Sequence, residues 1–182
     1  RVKKPLTRIP MIINLHARKI DIKLKAAIYA MTEFAMARLV PSTRLRNNLT
    51  INLHLKHHAT DGEAMISEFT NPNKPREFKI IIDHHRIETD DFGRTLTDTE
   101  WAHSILRILA HELVHVKQYV MSELKSINNG FVYNEKFYSP DTLEEYYDQP
   151  FEIEAHGREK GLLFSFLERW KEIEIEMGME LK

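Results

Sequence analysis

The chain has 182 residues, 42 % hydrophobic and 29 % charged, which suits one soluble domain over 1–182 with a real core. With 26 Lys plus Arg against 27 Asp plus Glu the net charge is −1, so no global basic field calls for nucleic acid. The chain contains no cysteine, which excludes disulfides, thiolate zinc sites and cysteine nucleophiles. No stretch is apolar enough to span a membrane and no signal-peptide pattern is present; with the lack of cysteine this gives a cytoplasmic expectation. The basic start, RVKKPLTR, reads as a solvated arm.

The first periodic segment runs from about Asp21 to Val40. Leu24, Ala27, Ile28, Met31, Phe34 and Ala35 recur at helical spacing, Asp21 can cap the start, and Pro41 ends it. Leu49 to His57 alternates between apolar and polar residues and reads as a half-buried strand. Asp61-Gly62 marks a turn, and Ala64 to Thr70 is a weaker strand. Phe78 to Asp83 (FKIIID) is a continuous apolar run, expected as a central strand buried on both faces. After a polar loop through Gly93, Thr97 or Asp98 caps a long helix expected to reach about Lys125, with Leu106, Leu109, Leu113, Val116 and Val120 as its stripe. Asn128-Asn129-Gly130 is the expected stop. Phe131 to Tyr138 reads as loop or short hairpin, and 140–150 as a connector. A last helix is expected from Pro150 to about Met177, and the acidic stretch Lys171 to Glu180 as its solvated end. The order is helix, three strands, two long helices, an α+β class.

The 10 histidines cluster, which points to metal chemistry. His111-Glu112-Leu113-Val114-His115 has the form HExxH. On a helix, residues four apart stack on one face, so His111 and His115 can share one tetrahedral zinc ion. Glu112 then lies beside the open coordination position as a general base for a water made acidic by the metal. A catalytic zinc site needs a third protein ligand. Cysteine is absent, and the residues after the motif, VKQYVM, lack a further histidine at the metzincin spacing. Candidates therefore come from elsewhere: Glu152, Glu154 and His156 in the opening of the last helix.

HELVHVKQY followed downstream by PFEIEAH resembles the gluzincins, in particular the small SprT-like and minigluzincin peptidases. The resemblance covers Asp61 to Phe166, although its sharp motifs are these two alone. It implies a zincin-like α+β fold, with a small mixed β-sheet packed against the long HExxH helix and a further C-terminal helix completing the site. It implies a hydrolase, a zinc metallopeptidase holding Zn2+ through His111, His115 and Glu154, with Glu112 catalytic and Ala155 permitting close helix packing. The substrate would be a protein or peptide, laid along an edge strand for which 64–69 is the candidate. A transition-state oxyanion donor would come from Tyr133, Tyr138, Tyr146, Tyr147 or His156. The chain departs from thermolysin-like gluzincins at Arg158, where they carry an aspartate, so another residue must orient a ligand histidine. Some SprT-like peptidases act on DNA-bound proteins, but no DNA-binding appendage is seen here.

Other readings carry less weight. Asp83-His84-His85 matches the tripeptide of a manganese phosphoesterase family whose further motifs are missing. His54, His57 and His58 are expected to sit at a solvated strand end. The competing class is a zinc-stabilised binding module without turnover, for which Glu112 would have no use.

Overall fold

The computed structural model describes residues 10–68, 70–89 and 93–176. The basic arm 1–8, Phe69 at the end of the expected edge strand, the middle of the loop before Gly93, and the acidic tail beyond 176 lie outside the described residues. The chain is a mixed α and β structure with a small mixed sheet. It opens with a strand that the sequence reading did not assign, β1 (Ile12–Ala17), before helix α1 (Ile22–Leu39) and the four-residue α2 (Thr43–Arg46). Strands β2 (Thr50–Leu55), β3 (Gly62–Ile66) and β4 (Glu77–Ile82) follow. Helix α3 (Asp98–Val120) leads into a three-stranded meander, β5 (Leu124–Ile127), β6 (Gly130–Tyr133) and β7 (Lys136–Tyr138). The short α4 (Leu143–Tyr147) and the long α5 (Pro150–Glu176) complete it.

The main sheet has the order β1-β2-β4-β3. β1, β2 and β4 are parallel, and β3 runs antiparallel on the edge beside β4. Ile51, Leu53 and Leu55 of β2 and Phe78, Ile80 and Ile82 of β4 are buried on the face that meets the helices. The other face carries Asn14, Asn52, His54 and Lys79, in register across the strands. FKIIID is thus the central strand expected, but Lys79 keeps its outer face half-buried; only Ile81 is buried there.

Helix α1 forms as its periodicity predicts, with the Asp21 carboxylate accepting from Lys23 N and Leu24 N. Helix α3 starts at a capping box in which Thr97 and Glu100 satisfy each other's backbone N–H groups. All five residues of its expected stripe are buried. It ends at Val120, short of the expected Lys125. Ser122 adopts a left-handed φ of 62°, Ser122 N–H donates to the Tyr119 carbonyl and Glu123 N–H to the Gln118 carbonyl. That pair of bonds is a Schellman stop built without glycine, so no Gly marks it in the sequence. The released residues form β5, and 131–138 form a hairpin that turns on Asn134 and Glu135, both at positive φ. Among the described residues no helix is long and apolar enough to cross a membrane.

Candidate metal centre

Helices α3 and α5 pack along each other, with Ala155 fully buried between them. His111 and His115 project from α3 one turn apart, beside the apolar stripe, towards the first turns of α5. Glu152, on that first turn and 2 % exposed, faces both of them. Its Oε2 lies 3.3 Å from His111 Nε2 and its Oε1 3.2 Å from His115 Nε2, and the two Nε2 atoms are 3.1 Å apart. Donor atoms bonded at the zinc–nitrogen distance in a tetrahedron stand about 3.3 Å from each other. The spacing therefore fits donors that share one small cation.

The hydrogen bonds behind the rings decide what these nitrogens offer. His111 Nδ1 meets Glu159 Oε2 at 2.9 Å, and His115 Nδ1 meets Gln118 Oε1 at 2.9 Å. The Gln118 amide cannot be turned round, because its Nε2 donates to the Phe151 carbonyl at 2.9 Å and to Glu154 at 3.0 Å. Both Nδ1 atoms thus face acceptors and carry the proton. In the neutral rings both Nε2 atoms then present lone pairs to each other and to a carboxylate, an arrangement that calls for positive charge between them, whether a cation or protons on Nε2. The electrostatics agree. Burial works against charge on His111, yet bonds to Glu152 and Glu159 outweigh it and raise its pKa to about 9. Burial likewise opposes charge on His115, and Glu152 again raises it. Burial pushes Glu152 up, but His111, His115 and the Tyr146 hydroxyl hold it well below the usual carboxylate range.

Glu154, expected as the third ligand, is not in this group; Glu152 is. The reason is helical geometry: residues two apart on a helix are about 200° apart around the axis. Glu152 shares the histidine-facing side with Ala155 and Glu159, while Glu154 falls on the other flank of the helix contact. There it accepts from Lys117 Nζ at 2.8 Å, Gln118 Nε2 at 3.0 Å, the Tyr133 hydroxyl at 3.0 Å and Arg158 Nε at 2.8 Å. Arg158, noted in the sequence as a departure, is thus a partner of Glu154. The carboxylate that orients His111 is Glu159, seven residues after Glu152 and so on the same face. Sequence reading missed Glu159 and Gln118, although the spacings Glu152–Glu159 and His115–Gln118 both lie on shared helix faces.

Glu112 is 5 % exposed. Burial raises its pKa to about 6, with His115 and His111 pulling the other way. Its carboxylate lies against Gly62 on β3: a methyl built there would come within 2.6 Å of Glu112 Oε1 and of Ile108 Cγ2. The expected edge strand is present, but it begins at Gly62, which the sequence suggested as a turn. Of the tyrosines considered as oxyanion donors, Tyr146 bonds Glu152 and Tyr133 bonds Glu154, so both are committed to positioning carboxylates. Tyr147 is exposed beside His156, their rings 6.0 Å apart.

The other histidine-rich stretch gathers no such set of nitrogens. His54 stacks on His16 across β1 and β2, and His58 Nε2 pairs with Glu63 at 2.6 Å. Asp83 takes the backbone N–H groups of His58 and His85, at 2.8 and 3.0 Å. Searches of protein-family models, of curated proteins and of solved structures find no match to the chain.

Proposed function

We propose that the protein is a small zinc-dependent metallopeptidase of zincin-like design, cleaving peptide bonds of an extended protein or peptide. The observation that carries the reading is the convergence of His111 Nε2, His115 Nε2 and the Glu152 carboxylate, with the buried Glu112 one residue along the same helix. His111, His115 and Glu152 would hold Zn2+. When bound, zinc supplies a Lewis acid that brings the pKa of water to about 7.

The chain's own groups do the rest. Glu159 and Gln118 keep the imidazole protons on Nδ1, so both Nε2 lone pairs point inward. Glu112, with a carboxyl pKa already raised towards neutrality, takes a proton from the attacking water and returns it to the leaving amine nitrogen. Glu112 lies against Gly62, so this proton transfer would occur beside β3. Among the described residues no strand pairs with the outer edge of β3, so an extended peptide can add there through main-chain hydrogen bonds. Binding through the backbone fits a substrate recognised by its extended form more than by its side chains.

The test is proteolysis of denatured casein and of a random peptide mixture by the zinc-loaded chain, beside Glu112→Gln. Cleavage should fall by roughly 10²–10⁴-fold in the variant while zinc content stays at that of the parent chain. Equal cleavage by both proteins would attribute it to a contaminant and overturn the proposal. A folded chain that holds zinc tightly and cleaves neither substrate would favour the binding-module reading.

A further inference from the structure

A second group of donors stands immediately behind the first. His156 Nδ1 lies 3.3 Å from Glu159 Oε2, and that same oxygen lies 2.9 Å from His111 Nδ1. The three atoms fall within 4.8 Å of one another. His156 and Glu159 are three apart on α5, so one helical face carries both, as it carries Glu152 one turn earlier. The two residues differ in exposure in a useful way. The His156 side chain is 50 % exposed and reachable from solvent, whereas that of Glu159 is 11 % exposed and held in place. Glu159 is held on its other oxygen by Arg107, 3.9 Å away, which leaves Oε2 for the histidines.

We propose that His156 and Glu159 form a second, outer site for a divalent transition-metal cation such as zinc, with the His111 Nδ1–H group donating to the same Glu159 oxygen. Imidazole nitrogen beside carboxylate oxygen is the donor chemistry such ions take. When the inner site is filled through His111 Nε2, that ring keeps its Nδ1 proton. The outer cation is then held by two protein ligands and water, and it is the weaker of the two. Because Glu159 also orients His111, excess metal acts on the inner centre through the carboxylate that both sites share. The outer site does not require the peptidase reading; it relies on the inner site only for the order of filling.

Equilibrium dialysis of the metal-stripped chain against rising zinc, with elemental analysis of the bound metal, tests it. The parent chain should take up one equivalent tightly and a second at least about tenfold more weakly. His156→Ala changes a half-exposed side chain and should keep the tight equivalent while losing the weaker one. A single equivalent in the parent chain overturns the outer site, as does a second equivalent that persists in His156→Ala. The double variant His115→Ala/His156→Ala separates the two claims. If it retains the tight equivalent with its fold intact by circular dichroism, the inner site is wrong while the outer assignment still stands on the single variant. If it retains none, the inner site is supported too.

Discussion

Two regions of this chain set several histidines beside a buried carboxylate, and in only one of them do ring nitrogens converge on it. At the α3–α5 contact, both Glu152 oxygens face imidazole Nε2 atoms. In the loops after β2 and β4, Asp83 is as deeply buried at 1 % exposed, yet its oxygens are taken by the backbone N–H groups of His58 and His85. The rings there turn to each other: His57 stacks on His85 with centroids 4.3 Å apart and only 17° between planes. Stacked rings direct their nitrogens side by side, not to a common point. Residue content is alike in the two regions; the difference is the backbone. A helix repeats direction every four residues and aligns two Nε2 atoms. A loop offers its free amides first, and a carboxylate bonded to fixed amides has little left for a cation.

The comparison breaks most readily at Glu152. Glu152→Ala should weaken zinc binding by well over 100-fold, more than the 10–100-fold loss typical of a residue that only orients a ligand. Asp83→Asn should leave zinc binding unaltered. Competition with a chromogenic chelator reads both, and an equal loss in the two variants would show that the Asp83 region is part of the centre. The next largest effect falls where the two regions meet. Asp83 N–H donates to the Asp61 carbonyl, and Gly62 follows directly as the first residue of β3. Gly62→Ala would force the Glu112 carboxylate to shift. Zinc content should hold while the rate of any cleavage falls by up to about 100-fold, the scale of a misplacement near 1 Å. An unchanged rate would mean that Glu112 has no fixed position to lose.

Asp83 should instead show itself in stability. Burial pushes its carboxyl pKa up, but the His58 and His85 amides and the His57 ring outweigh burial and hold it below the usual value of 3.8. A depressed folded pKa means the stabilisation is full above that value and is lost as pH falls through the lower, folded one. Asp83→Asn should cost about 2 kcal/mol or more at neutral pH, because the His58 and His85 amides bond different oxygens: one bond becomes neutral and the other is lost where the new NH2 faces a backbone N–H. It should also flatten the fall in stability below pH about 4. Urea melts at pH 7 and at pH 3 check both; a parallel loss at the two values would deny the carboxylate its charge-dependent role.

Most of this architecture could be read from spacing. The stripe of α3 is buried and so is that of α1 but for the half-buried Phe34, and HELVH stands on a long helix beside its stripe, as its period required. β1 alternates strictly, Ile13, Leu15 and Ala17 against Asn14 and His16, but with only three inward apolar residues, half-buried at the sheet's edge, its pattern is too short to stand out. The end of α3 was missed because Ser122 takes the left-handed conformation that glycine usually marks. Glu152 is one of the three third-ligand candidates in the sequence, but the resemblance points to Glu154. Choosing between Glu152 and Glu154 needs the rotation of α5 about its axis. That rotation is fixed by Phe151 and Ala155 packing into the core, a tertiary fact that no local pattern carries.

The smallest effect is the one expected at Glu154. Lys117, Gln118 and the Tyr133 hydroxyl hold its carboxyl pKa down at about 2, against burial. Its route to the candidate metal centre is indirect: Glu154 to the Gln118 amide, and Gln118 to His115 Nδ1. Glu154→Gln leaves the Gln118 amide anchored on the Phe151 carbonyl and leaves Lys117 its bond to Glu123 at 2.6 Å. Zinc affinity should therefore drop by less than about tenfold, the lower bound for a residue that touches a ligand directly. Because the folded pKa is depressed, the stability Glu154 contributes is full above its ordinary 4.5 and is lost as pH falls through about 2; the variant should flatten the stability profile in that window. If Glu154→Gln stripped zinc as thoroughly as Glu152→Ala, the two glutamates would have to exchange places. That requires α5 to turn by about half a revolution. Phe151 and Ala155 would then leave the core, and the stability of the chain would report that turn before any metal assay did.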